Sequence, residues 1–269
     1  MKEVITYRQS IFLVSLILPV TGHMLLLVPM FDKVGRDSWI SILLTVPLGL
    51  VYGFILYRLH FMHPTKNLVQ MLGEAFGRIG GKALTMGWIA YLLFMLVTSF
   101  YALVDFIRIY FLPETPNWVL GLSFYMIVLY ALYVGIESIT RFCEPLLLLI
   151  FISGTSIGIT TFQDKEYDLL FPLFEHGFSP VLQGMILTLA LFGEISILLM
   201  IGLKKDHAKS KSFLFTNTVI IFLITLMFLG TMTSSLAIFG EKLGSSMTYP
   251  AQNIVRLASY GFIERFDIY

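Results

Sequence analysis

Between successive Asp, Glu, Lys or Arg residues the chain carries long uncharged runs at 9–31, 38–57, 83–104, 115–136, 145–163 and 212–240. A seventh run, 176–203, is interrupted only by Glu194. Roughly 20 apolar residues cross the hydrocarbon core of a bilayer as a helix, so the pattern predicts seven transmembrane helices. Two shorter segments are amphipathic instead. Leu68, Leu72, Phe76 and Ile79 recur at helical spacing with Lys66, Gln70, Glu74 and Arg78 between them, and Gly80-Gly81 ends the pattern, which predicts a short helix on the membrane surface. Ile254, Leu257 and Ile263, with Arg256, Glu264, Arg265 and Asp267, form a second such segment. Gly49-xxx-Gly53 and Gly154-xxx-Gly158 lie inside spans and read as close-packing positions.

Two of the runs are interrupted at the same depth. The first carries Pro19, Gly22 and His23 near its middle, and the sixth carries Gly193 and Glu194; counted from Gln9 and Pro180, the two glycines fall in register. The two spans cross the membrane in opposite directions. Paired interruptions in inverted halves point to a transporter-type site near the bilayer midplane. The alternative is that both glycines only allow close packing and that His23 and Glu194 are satisfied by neighbours. On the site reading, a second half-helix begins at Gly22. The amides of His23, Met24 and Leu25 would then lack helical partners and suit a carboxylate. Carbonyls near Leu18, Thr21, Leu191 and Phe192 would suit an ammonium group. Together these demands describe a zwitterionic amino acid.

Composition agrees with a membrane protein. The 269 residues are 57% hydrophobic and 13% charged, with a mean hydropathy of +0.83, whereas a soluble domain is about 25% charged. The net charge of +1 points to neither nucleic acid nor acidic partners. The single cysteine, Cys143, excludes an internal disulfide framework and a multi-cysteine metal site. The first apolar run exceeds the roughly 7 to 15 residues of a signal-peptide core, so it reads as a retained span. With the N-terminus inside, the cytoplasmic loops carry Lys2, Arg8, Arg58, Lys66, Arg78, Lys82, Arg141, Lys204, Lys205, Lys209 and Lys211, against Lys33, Arg36, Arg108 and Lys165 outside. Eleven against four predicts a cytoplasmic N-terminus.

Glu194 stands out chemically, because a carboxylate at mid-membrane must be protonated, paired or facing water. A proton relay or ligand contact is one reading, and a structural pair with His23 or Arg141 is the other. Asp105 and Arg108, three residues apart, read as an interfacial ion pair or a gate, and so do Arg141 and Glu144 before Pro145. His60 and His63 flank an interface and read as solvated. No hydrolase elbow, phosphate-binding loop, dinucleotide fingerprint or metal-ligand cluster occurs in the sequence, so neither an enzyme nor a cofactor is expected.

Several stretches in order resemble one family. Leu112-Pro113-Glu114-Thr115-Pro116, Gly135-Ile136-Glu137-Ser138-Ile139-Thr140-Arg141-Phe142-Cys143-Glu144-Pro145, Leu170-Phe171-Pro172 with Gly177, and Tyr249-Pro250 with Arg256 and Ile263-Glu264-Arg265-Phe266-Asp267 resemble the spore germination permeases. These are the B subunits of nutrient germinant receptors. The resemblance implies an all-α, polytopic, broken-helix fold of the amino acid/polyamine/organocation superfamily, with inverted five-helix repeats. It implies an amino-acid or other small nutrient as ligand, A and C subunits as partners, and the spore inner membrane as location. Carried over, the ligand site falls on Thr21, Gly22, His23, Met24 and Leu25 and on Leu191, Phe192, Gly193, Glu194 and Ser196. Residues 9–163 would form the first repeat and 177–269 a partial second one, about seven of ten helices. A germinant-sensing subunit, a proton-coupled amino-acid transporter and an inactive truncated assembly subunit are the three functions this predicts.

Overall fold

A computed structural model describes residues 5–63, 66–201, 203 and 210–257. The cluster Lys204, Lys205 and Lys209 and the segment Ile263–Asp267 lie outside the described residues. Six helical stretches are long and apolar enough to cross a membrane, the first running from Tyr7 to Met62. Its 56 residues would extend about 84 Å as one straight helix, nearly three times the hydrocarbon thickness. It is a hairpin. Helix α1 (Tyr7–Thr21) continues through a π-helical turn, Gly22–Leu26, into α2 (Leu27–Val34), and a 3-10 turn at Gly35–Asp37 reverses the chain into α3 (Ser38–Met62). Tyr7 and His60, at opposite ends of this stretch, both meet Phe213, at ring separations of 6.3 and 4.3 Å. The described residues therefore make the seven crossings that the charge-free runs predict.

The remaining crossings are α4 (Leu68–Tyr110), α5 (Asn117–Val134), α6 (Ile136–Thr160), α7 (Ser179–Gly193) with a 3-10 extension Glu194–Leu199, and α8 (Ser210–Ser246). The short α9 (Pro250–Leu257) follows and forms the described part of the second amphipathic segment. The most apolar windows of Tyr7–Met62, Ser179–Leu199 and Ser212–Ser246 are each 44% buried, against 11%, 6% and 11% for α4, α5 and α6. The first group is therefore the core, and the second presents most of its surface to lipid. Trp118, Tyr133 and Met86 are among its exposed side chains.

Glycines set the tightest seams. A methyl on Gly49 of α3 would lie 2.6 Å from Phe192 Cδ2 of α7, and one on Gly53 would lie 3.1 Å from Ile221 Cδ1 of α8. Asn217 Nδ2 on α8 donates to the Gly53 carbonyl at 3.0 Å. From the other side, Gly184 of α7 admits Ser41, whose Oγ would be 2.5 Å from an added methyl. The packing reading of Gly49-xxx-Gly53 thus holds. It does not extend to Gly154-xxx-Gly158, where an added methyl meets nothing within 4 Å at either position. Both glycines of α6 border an open groove facing Gly230 and Thr231 of α8.

The surface helix before the third crossing turns at Gly77, whose φ of 71° is open to glycine and strained for other residues. The expected stop at Gly80-Gly81 is thereby corrected. Gly81 serves the fold-back, since a methyl there would lie 2.5 Å from Gly73 Cα. An Asn67–Gln70 capping box starts this helix, and Lys66 pairs with Glu74 at 2.5 Å.

At the far end of α4, Asp105 and Arg108 form the expected ion pair at 3.0 Å. Tyr249, just before α9, extends it, its single hydroxyl hydrogen shared between Asp105 Oδ2 at 3.2 Å and the Ala102 carbonyl at 3.1 Å. Burial, and then the Asp105 carboxylate, push the Tyr249 phenol up to about 12 from its ordinary 10.0. A raised value means that the docked state favours the protonated phenol. The contribution to α9 docking is complete below about pH 10 and is lost as pH rises through about 12. In a tyrosinate absorbance titration the late-ionising component should shrink by one tyrosine in Tyr249→Phe; an unchanged titration in that variant contradicts the assignment.

Candidate functional site

Both interruptions are changes of winding, and neither is a gap. In the first crossing, Pro19 lacks an amide hydrogen and crowds the carbonyl four residues back, which favours a local widening. The Gly22 amide still donates to the Leu18 and Pro19 carbonyls, and the Leu27 amide reaches back five residues to the Gly22 carbonyl. The expected free half-helix terminus at His23, Met24 and Leu25 is thus replaced by a π-helical turn. In the sixth crossing the helix tightens into the 3-10 form from Glu194 to Leu199. The carbonyl of Gly193 accepts the Tyr52 hydroxyl at 3.0 Å and the Ser196 hydroxyl at 2.7 Å. These two side chains satisfy a backbone group at the change of winding.

Thr21 and Glu194 meet across the two crossings. The side-chain hydroxyls of Thr21 and of Tyr91, the latter contributed by α4, face the Glu194 carboxylate. They border a cavity of about 280 Å³ between the first, third and sixth crossings, walled by Leu18, Leu92, Met95 and Leu96. That volume lies just below the range of about 300–1,000 Å³ usual for ligand sites and so suits only a small ligand. Neither His23 nor Arg141 pairs with Glu194. Arg141 is bound to Glu137 at 2.6 Å, and Glu144 to Arg8. The expected Arg141–Glu144 clasp is therefore replaced by one short-range pair and one that ties α6 to the start of α1.

The other candidates separate. His23 points away from Glu194 into the groove between α6 and α8, with Nε2 3.4 Å from the Met227 carbonyl. Leu191 and Phe192 are buried in the core. They face the two glycines, with Leu191 Cδ2 3.5 Å from a methyl placed on Gly22 and Phe192 Cδ2 2.6 Å from one on Gly49. Met24 and Leu25 are half-buried in the π turn and do not border the Glu194 cavity. Tyr52 and Tyr91 are the residues sequence reasoning missed. A tyrosine deep within an uncharged run, at 38–57 and at 83–104, was the available signal, because a buried phenol requires a hydrogen-bond partner.

One mouth of the bundle is latched by the Gly35–Asp37 turn. Arg36 donates to the Phe171 carbonyl at 2.8 Å and lies 3.5 Å from Glu175 and 3.9 Å from Glu241. Asp37, itself buried, accepts the Phe174 amide at 3.0 and 3.1 Å on its two oxygens. The Leu170-Phe171-Pro172 stretch thus belongs to a loop clamped from the first hairpin.

Helices crossing seven times, a glycine-seamed core and a polar centre at two changes of winding define an all-α, multi-pass integral membrane protein. The chain belongs to the spore germination protein family, whose profile matches residues 4–269. It is similar to spore germination protein XB of Bacillus anthracis, 28% identical over 92% of this chain and 69% of the relative. Similarity extends to spore germination protein GerQB of Bacillus cereus, 23% identical over 87% of this chain and 64% of the relative. With spore germination protein KB of Bacillus subtilis, strain 168, identity is 26% over 74% of this chain and 54% of the relative. The chain spans about two thirds or less of the length of these relatives. No solved structure matches it.

Proposed function

We propose that the chain is a nutrient-sensing membrane subunit of a spore germination receptor, and that it binds a small nutrient such as an amino acid between its first, third and sixth crossings. The observation that carries this reading is the cavity at Glu194, where Thr21 and Tyr91 from two other crossings converge on a lone carboxylate. The antiparallel first and sixth crossings, which meet at Gly22 and Leu191, support a division into a first repeat at 9–163 and a partial second repeat at 177–269. The loop-charge bias supports a cytoplasmic N-terminus, and the family supports the spore inner membrane with A and C subunits as partners. Ligand occupancy shifts the weakly anchored α4 against the core, and the partners convert that shift into germination. The role is binding and signalling, with no chemical step.

Ser99 lines the cavity from α4. Ser99→Trp should fill the space while leaving the glycine-seamed core intact. In spores expressing the chain with its A and C partners, the nutrient concentration for half-maximal germination should rise by about tenfold or more. An unchanged dose response in Ser99→Trp would sink the assignment. Proton-coupled uptake is the second reading, favoured by the absence of a cationic partner for Glu194 among the described cavity residues. Accumulation of labelled amino acid in proteoliposomes under an imposed pH gradient would select it over sensing alone.

A further inference from the structure

Resting on the reading above, we infer that this site recognises its ligand through an ammonium group alone, so that small apolar primary amines bind more tightly than the amino acids from which they differ by a carboxylate. The cavity supplies one formal charge, that of Glu194. A carboxylate has about four acceptor positions, and among the described residues the only hydroxyls facing it are those of Thr21 and Tyr91. The remaining positions suit an ammonium donor, which would also neutralise a charge otherwise costly within the membrane.

Nothing in the cavity answers a ligand carboxylate. No Lys, Arg or His borders it among the described residues. His23, nearest in sequence to Thr21, opens into the other groove, and Arg8 and Arg141 are committed to Glu144 and Glu137. The amides that a true helix break at Gly22 would offer belong to His23, Met24 and Leu25, and none of these residues borders the cavity. The Thr21 and Tyr91 hydroxyls face Glu194, and Ser99 is a further neutral hydroxyl on the lining. One neutral donor does not offset the desolvation of a carboxylate. The walls, Leu18, Leu92, Met95 and Leu96, suit a short branched hydrocarbon.

The test is calorimetric titration of the purified full chain in lipid nanodiscs near neutral pH with isobutylamine, L-valine and isobutyrate, which share one hydrocarbon group. Isobutylamine should bind saturably, L-valine about tenfold or more weaker, and isobutyrate not at all. Glu194→Gln should weaken the amine about tenfold or more, whereas Glu194→Asp, which keeps the charge, should stay within a few-fold. L-valine binding as tightly as isobutylamine overturns the inference and leaves the sensing function standing. Amine binding unaltered in Glu194→Gln overturns it too. If none of the three binds the wild-type chain, the inference fails, and the germination response of Ser99→Trp decides the broader reading independently.

Discussion

Gly49→Leu is expected to produce the largest loss of stability of any single substitution on α3. The first added carbon would already lie 2.6 Å from Phe192 Cδ2 and 2.8 Å from Phe192 Cε2. Phe192 is fully buried between α3 and the core, so its ring has no free direction in which to turn. Overpacking of this kind costs about 1–3 kcal/mol and more where helix axes must separate. Phe192 immediately precedes Gly193 and Glu194, and Tyr52, one turn beyond Gly49, holds the Gly193 carbonyl. Separation of α3 from α7 should therefore disturb the cavity as well as the core. Thermal unfolding in detergent, read by tryptophan fluorescence, should shift well below wild type in Gly49→Leu. Gly158→Leu, at a glycine with nothing within 4 Å, should remain close to wild type. Equal shifts in the two variants would show that the seam is not the source.

Asp37→Ala should release the loop that closes one mouth of the bundle. Its carboxylate accepts the Phe174 amide on both oxygens, and hydrogen bonds to a charged group are worth about 1.5–3 kcal/mol. Phe174 sits at a φ of 56°, a conformation that costs a bulky residue about 1–3 kcal/mol and persists only where the surroundings impose it. Without the acceptor, Phe174 should relax to negative φ and take the 171–175 loop away from Arg36. Hydrogen exchange at the Phe174 amide should accelerate by about tenfold or more, and Asp37→Asn, which retains one acceptor oxygen, should fall between the two. Unchanged exchange in Asp37→Ala would mean that another contact holds the loop.

Some of this arrangement was legible along the chain, and the reason is the solvent. Lipid excludes unpaired charge and unpaired backbone, so the charge-free runs mark the crossings and the glycine and proline positions mark where a helix can change its winding. The depth match of Gly22 with Gly193 survives as a contact between the first and sixth crossings, with Leu191 Cδ2 3.5 Å from a methyl on Gly22. Pairings across crossings were not legible. Glu144 lies three residues from Arg141, yet its partner is Arg8, 136 residues away. Gly49-xxx-Gly53 and Gly154-xxx-Gly158 are the same pattern, and only the first has a helix against it.

The sequence by itself determined the membrane, the number of crossings and the depth of the two interruptions, because each follows from the cost of placing local chemistry in hydrocarbon. Only the tertiary structure decided that the interruptions are a π turn and a 3-10 turn, that His23 and Glu194 face different cavities, and that Tyr52 and Tyr91 complete the polar centre. Each residue along a helix rotates the side chain by about 100°. Adjacent positions in the two interruptions can therefore face different neighbours, and which neighbour stands there is set by how the helices pack.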